Sequence, residues 1–132
     1  MARRPAVSFS KNHQDRLRRD DHAFVWHPFT QMEEWGQELP IIIERGDGQY
    51  LFDTEGNRYY DGVSSIWVNI HGHQTRTLDE ALRTQLGKIA HSTLLGLSNI
   101  PSIELAKQLI QIAPPGLQKV FYSDNGSTAM EI

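Results

Sequence analysis

Lys119-Val120-Phe121-Tyr122-Ser123-Asp124-Asn125-Gly126-Ser127-Thr128-Ala129-Met130-Glu131-Ile132 is the stretch whose reading decides the fold. Lys119 to Ser123 is β-branched and aromatic and runs into a turn cluster, which predicts a short buried strand. Asp124-Asn125-Gly126 is that turn, with Gly126 free to take a positive φ. Ser127-Thr128-Ala129-Met130-Glu131-Ile132 predicts a helix start, capped by Ser127 or Thr128 with Glu131 near the capping-box position. A strand, a glycine turn and a helix start aim backbone N–H groups in one direction, and the helix dipole adds partial positive charge there. The pattern is either a phosphate cradle or a plain strand-to-helix turn. So short a helix is marginal alone, so the stretch reads as cut from a longer element.

Working back along the chain, Pro114-Pro115-Gly116 stops a helix that Pro101 opens. Ile103, Ala106, Leu109, Ile110 and Ala113 form its predicted buried face. Residues 92–98 are a loop holding Gly96. Thr77-Leu78-Asp79-Glu80 is a capping box, and Leu78, Leu82, Leu86 and Ile89 follow at helical spacing, predicting a helix from Thr77 to Lys88. Further back, Pro40 to Arg45, Gln49 to Asp53 and Arg58 to Asp61 are short strands separated by Gly46-Asp47-Gly48 and Thr54-Glu55-Gly56-Asn57. That spacing predicts an antiparallel meander. A meander followed by helices and by a strand feeding a helix is α/β overall.

Two segments resist periodicity. Gly62 to His73 sets small and polar residues around Trp67, which means either close backbone approach to a ligand or ordinary core packing. Trp26-His27-Pro28-Phe29-Thr30-Gln31-Met32 is a dense aromatic loop, where Pro28 pushes His27 out of the α region. It is either a hydrophobic latch or a pocket lid. Residues 1–10 are predicted to be disordered and Lys11 to Ala23 to form a short polar helix.

Charge and composition narrow the function. Residues 1–22 carry six Lys/Arg against three Asp/Glu, and the remainder is acidic enough to bring the net charge to −3. Arg16, Arg18 and Arg19 alternate with Asp15, Asp20 and Asp21, so the basic lead is a salt-bridged helix face and not a nucleic-acid arm. The absence of cysteine excludes disulfide and thiolate chemistry and fits a reducing, cytoplasmic setting. No apolar run reaches membrane-spanning length. His71-Gly72-His73 lacks a third ligand at a spacing that would complete a metal set. No Walker loop, Gly-x-Gly-x-x-Gly or nucleophile signature occurs.

Taken in order, the aromatic loop, Asp61-Gly62-Val63-Ser64-Ser65-Ile66-Trp67, His71-Gly72-His73 and Phe121 to Glu131 resemble the amino-terminal third of a class-III aminotransferase. Within that class they are most similar to the biotin-pathway branch that makes 7,8-diaminononanoate from 8-amino-7-oxononanoate. The resemblance covers nearly all of residues 20–132. It implies fold type I, a homodimer and amino transfer through pyridoxal 5′-phosphate. It puts the cofactor phosphate on the N–H groups of Gly126 and Ser127, with the Ser127 hydroxyl helping. It sets Ile66 and Trp67 beside the substrate, with Phe29 covering it. The implied amino donor is S-adenosylmethionine, or lysine in a branch resembling Bacillus proteins, to which the wording of Ser64 to Trp67, Gly87 to Gly96 and Phe121 to Asp124 is closer.

The implied division is a lead-in at 1–22, a small-domain piece at 23–76 with the loop, meander and substrate-side segment, and the start of the large cofactor-binding domain at 77–132. Several positions depart from the family. Phe29 stands where Tyr is common, Ile66 where a second Trp is common, and Asn125 where many relatives have Ser. Gln74-Thr75-Arg76 replaces the usual Asn/Asp-His-Pro. The family's cofactor-anchoring lysine, its pyridine-pairing aspartate and its carboxylate-binding arginine all fall beyond residue 132. Lys11, Lys88, Lys107 and Lys119 match none of these, so no catalytic residue is assigned here and the expectation is that this chain alone is inactive. Two rival readings remain: a non-catalytic fragment that at most binds a phosphate ligand, and an ω-aminotransferase acting on a substrate such as ornithine or 4-aminobutyrate.

Overall fold

The structure is a computed structural model that describes residues 9–132. The disorder expected for the first ten residues therefore lies outside the described range except at Phe9 and Ser10, which are ordered. Ser10 caps the first helix, α1 (Lys11–Phe24), by accepting from the His13 N–H, and the Phe9 ring stacks on His13. The chain divides into two compact units, Met1–Leu82 and Arg83–Ile132.

In the first unit the meander forms as expected, in the order β1 (Ile43–Asp47), β2 (Tyr50–Asp53), β3 (Arg58–Tyr60), all antiparallel. β1 starts and ends later than the sequence suggested. Gly46 and Asp47 pair with Leu51 and Tyr50 and are not a turn, so the connection tightens to Gly48 and Gln49, with Gly48 at φ +56°. A bulge between Ile43 and Arg45 absorbs the shift. The β2–β3 turn is built on Asp53, buried and accepting from the Glu55 and Asn57 amides, the Asn57 side chain and the Tyr59 hydroxyl. α1 is tied to that turn by Gln14 Nε2 to the Thr54 carbonyl (2.9 Å) and Arg18 to Glu55 (2.6 Å). Its other charges pair along the helix, Arg16 with Asp20 and Arg18 with Asp15.

α2 (Met32–Trp35) follows the aromatic loop, α3 (Ser64–Trp67) follows β3, and α4 (Arg76–Leu86) starts one residue earlier than predicted. The Thr75 carbonyl accepts from the Leu78 and Asp79 amides. The capping box does not form, because Thr77 lies inside the helix and Glu80 bonds Arg76 (2.7 Å).

In the second unit α5 (Ile100–Ile112) carries Pro101 in its first turn and Asn99 as its cap. α6 (Gly126–Glu131) ends the chain. The strand expected over Lys119 to Ser123 is absent: 117–123 has no regular secondary structure and pairs with no strand among the described residues. A parallel strand needs neighbours from distant sequence, and a side-chain tether replaces them, the Tyr122 hydroxyl donating to the Ser102 carbonyl of α5. The expected turn is also different. Gly126 is the first helical residue, without positive φ, and Asn125 takes the capping role assigned to Ser127 or Thr128.

The predicted buried faces are not buried. Ile103, Leu109, Leu78, Leu82 and Leu86 are all exposed, and no large apolar side chain among the described residues is buried. Among the described residues, element-to-element packing is concentrated in the three-stranded sheet, and the apolar faces of α4 and α5 stay exposed. No described helix is long and apolar enough to cross a membrane.

Candidate functional site

β3 delivers the chain to Asp61, and there the backbone changes hand. Ser64, Ser65, Ile66 and Trp67 all have positive φ, between +49° and +68°. Ser65 (φ 49°, ψ 48°) and Ile66 (φ 62°, ψ 61°) sit in the left-handed helical well. The Trp67 N–H bonds the Val63 carbonyl (2.8 Å) and the Val68 N–H the Ser64 carbonyl (3.1 Å), so α3 is a single left-handed turn. For L-residues this costs roughly 1–2 kcal/mol each, and more at β-branched Ile66. Strain of that kind persists only when surrounding contacts hold it.

The contacts are polar and converge on one carboxylate. Asp61 Oδ1 accepts from the Ser65 N–H (2.8 Å), and Oδ2 accepts from the Ser65 hydroxyl (2.8 Å) and from His73 Nε2 (2.9 Å). Asp61's side chain is only 6% exposed. These bonds, first the Ser65 amide, then the Ser65 hydroxyl and then His73, hold its carboxyl below the usual carboxylate value. Asn69 Nδ2 lies 2.7 Å from His73 Nδ1 and 3.1 Å from Nε2. Against the acceptor-only carboxylate, His73 Nε2 is assigned as the donor.

His73 in turn is seated on the sheet. Its N–H and C=O pair with Gly48 as an isolated bridge (2.7 and 3.1 Å), and its ring lies so close to Gly46 that a Cβ there would meet His73 Cγ at 2.3 Å. A Cβ on Gly72, φ +78°, would meet the Gly48 carbonyl oxygen at 2.9 Å. Gln74 donates to the Gly46 carbonyl (2.7 Å). The product of all this is an apolar ledge: Val63, Ile66, Trp67 and Val68 are each more than 60% exposed.

The aromatic loop is latched, but by polar contacts. Asp21 of α1 receives His27 Nε2 (3.1 Å) and the Trp35 indole N–H (3.0 Å), and the His27 and Trp35 rings meet at 4.5 Å. Trp26 and Phe29 take no part. Phe29 has φ +52° and is fully exposed.

Gly126 and Ser127 belong to the second unit, in the first turn of α6. Asn125 Oδ1 occupies the Thr128 N–H (2.9 Å) and takes the Thr128 hydroxyl (3.2 Å). Among the described residues nothing accepts from the Gly126 or Ser127 N–H, and a Cβ built on Gly126 meets nothing within 4 Å. Two adjacent, unpaired, open amides fit an anionic head group. Hydrogen bonds, first from the Thr128 side chain, hold the Asp124 carboxyl beside them below its ordinary value. The sequence reading named Ile66, Trp67, Phe29, Gly126 and Ser127, but it assigned no role to Asp61, Ser65, Asn69 or His73. Asp61 and His73 stood in the quoted motifs, and only the fold shows that they meet.

The chain belongs to the class-III aminotransferase family, whose pattern residues 31–132 match. It is 58% identical over 121 residues to the adenosylmethionine-8-amino-7-oxononanoate aminotransferase of Staphylococcus aureus, covering 92% of this chain and 27% of that protein. It is 62% identical over 116 residues to the enzyme of that name from Nitratidesulfovibrio vulgaris, covering 88% of this chain and 21% of that protein.

The crystal structure of the Methanocaldococcus jannaschii enzyme of that name superposes with a TM-score of 0.86 at 51% identity, over 89% of this chain and 27% of that one. An ω-transaminase from Pseudomonas jessenii, solved in complex with PMP, superposes with a TM-score of 0.81 at 33% identity, over 87% of this chain and 26% of that one. The chain thus carries part of the α/β aminotransferase fold and spans about a quarter of the length of the relatives it matches.

Proposed function

We propose that this chain is the amino-terminal portion of a cytoplasmic, homodimeric enzyme that transfers an amino group to 8-amino-7-oxononanoate, giving 7,8-diaminononanoate for biotin synthesis. The donor is S-adenosylmethionine or lysine. The activity named for relatives at 51–62% identity supports the acceptor. The observation that carries the chemistry is the pair of unoccupied amides at Gly126 and Ser127. They fit the phosphate of pyridoxal 5′-phosphate, with the Ser127 hydroxyl as a third donor, while Thr128 is already spent on Asn125. When bound, that cofactor supplies the electron sink through which an amine and a ketone exchange nitrogen.

The chain's own residues bind and orient. Ile66 and Trp67 wall the apolar body of the acceptor, and Phe29 covers it and excludes water. Lys11, Lys88, Lys107 and Lys119 are all exposed, and the covalent anchor for the cofactor comes from sequence after Ile132. The exposed apolar helical faces support burial against the rest of the subunit and a second copy.

The test is turnover by the full-length protein. 7,8-Diaminononanoate should form from 8-amino-7-oxononanoate with one of the two donors. Activity toward ornithine or 4-aminobutyrate, with none toward 8-amino-7-oxononanoate, would overturn the assignment in favour of an ω-aminotransferase.

A further inference from the structure

We propose that Asp61 is a positioning residue for the amino acceptor: its carboxylate, steadied by His73, holds the left-handed turn Ser64–Trp67 and so fixes where Ile66 and Trp67 stand. The inference rests on the reading above, that these two side chains wall the acceptor site.

The geometry makes the carboxylate specific. Three donors converge on it, the Ser65 amide, the Ser65 hydroxyl and His73 Nε2, each within 2.9 Å. Only an acceptor-only group satisfies all three; an amide in its place would turn an N–H₂ toward a donor. The Ser65 amide bonds Asp61 just where the chain winds left-handed through Ser65 and Ile66. His73 cannot drift, because its backbone is bridged to Gly48, its Nδ1 faces Asn69, and its ring rests where Gly46 leaves no side chain. A continuous path therefore runs from the β1–β2 hairpin through His73 and Asp61 to Trp67, with no flexible link in it. Asp61, Ser65, Asn69 and His73 are not among the residues read as walling the acceptor, so their effect is on where the wall stands and not on the chemistry.

The experiment uses the full-length protein and steady-state kinetics with 8-amino-7-oxononanoate. Asp61→Asn should raise the acceptor KM about tenfold while kcat changes less than twofold. Adding Ser65→Gly to Asp61→Asn should bring KM back to within about threefold of wild type, because glycine adopts positive φ without being held. Rescue of that kind is not expected if Asp61 only stabilises the fold. A soluble Asp61→Asn protein with unchanged KM overturns the proposal, and so does a raised KM that Ser65→Gly leaves untouched.

Should Asp61→Asn fail to fold, Ser65→Ala removes one of the three bonds and should raise KM about threefold; no change overturns the proposal. Should wild type not accept 8-amino-7-oxononanoate, the substrate reading fails, and hydrogen exchange decides the positioning claim separately. Asp61→Asn must then speed exchange at the Trp67 and Val68 amides, and unchanged rates there overturn it.

Discussion

Asp53 and Asp61 are the two carboxylates on which the first unit turns, and they act through different balances. At Asp53 burial is the largest single influence and works against the charge, but the Asn57 and Tyr59 side chains and the Asn57 and Glu55 amides together outweigh it, so its carboxyl lies below its ordinary value of 3.8. The same bond raises the Tyr59 hydroxyl above its ordinary value. Asp53→Ala leaves two amides without their acceptor. Hydrogen exchange at Glu55 and Asn57 should quicken about tenfold, the loss of one net hydrogen bond at each. For Asp61 the sign follows from a folded value lowered beneath 3.8. Its contribution is fully present above pH 3.8 and is lost as pH falls through the folded value. Protection of the Ser65 amide should therefore be flat from pH 7 to about 4 and collapse below it; a loss centred well above that range would overturn the assignment to Asp61.

Among the elements, α5 is the one whose ends the sequence specifies most fully. Pro101, Asn99 and Pro114 mark them, and the structure adds that Asn99 Oδ1 accepts from the Ser102 amide (3.0 Å) while its Nδ2 reaches Ser92 (3.1 Å). Asn99→Ala should cost about 1 kcal/mol of α5 stability, measured as faster exchange across its first turn. The meander was equally legible, because alternation and glycine turns are local signals. The left-handed turn was not. Nothing intrinsic to Ser64-Ser65-Ile66-Trp67 favours positive φ, and the conformation exists only because Asp61 and His73, 12 residues apart, meet across the hairpin. The missing strand at 119–123 failed for the converse reason: its local pattern is right, but a ladder needs partners that no local pattern supplies.

At the scale of the molecule, the amphipathic periods of α4 and α5 predicted buried faces, and the structure shows them bare. Leu82 and Leu86 of the predicted α4 face are each more than 60% exposed, as are Ile100 and Ile112 of α5, Phe121 and Met130. A chain of these 132 residues should associate as its concentration rises, seen as a growing mean mass by light scattering; a constant monomer mass across the micromolar range would show that the faces are tolerated by water. The Tyr122 hydroxyl grips α5, so Val120, Phe121 and Tyr122 border the hollow beside Ile103 and Ala106 within one compact unit of the chain. Anchorage of that segment therefore asks for nothing outside residues 83–132.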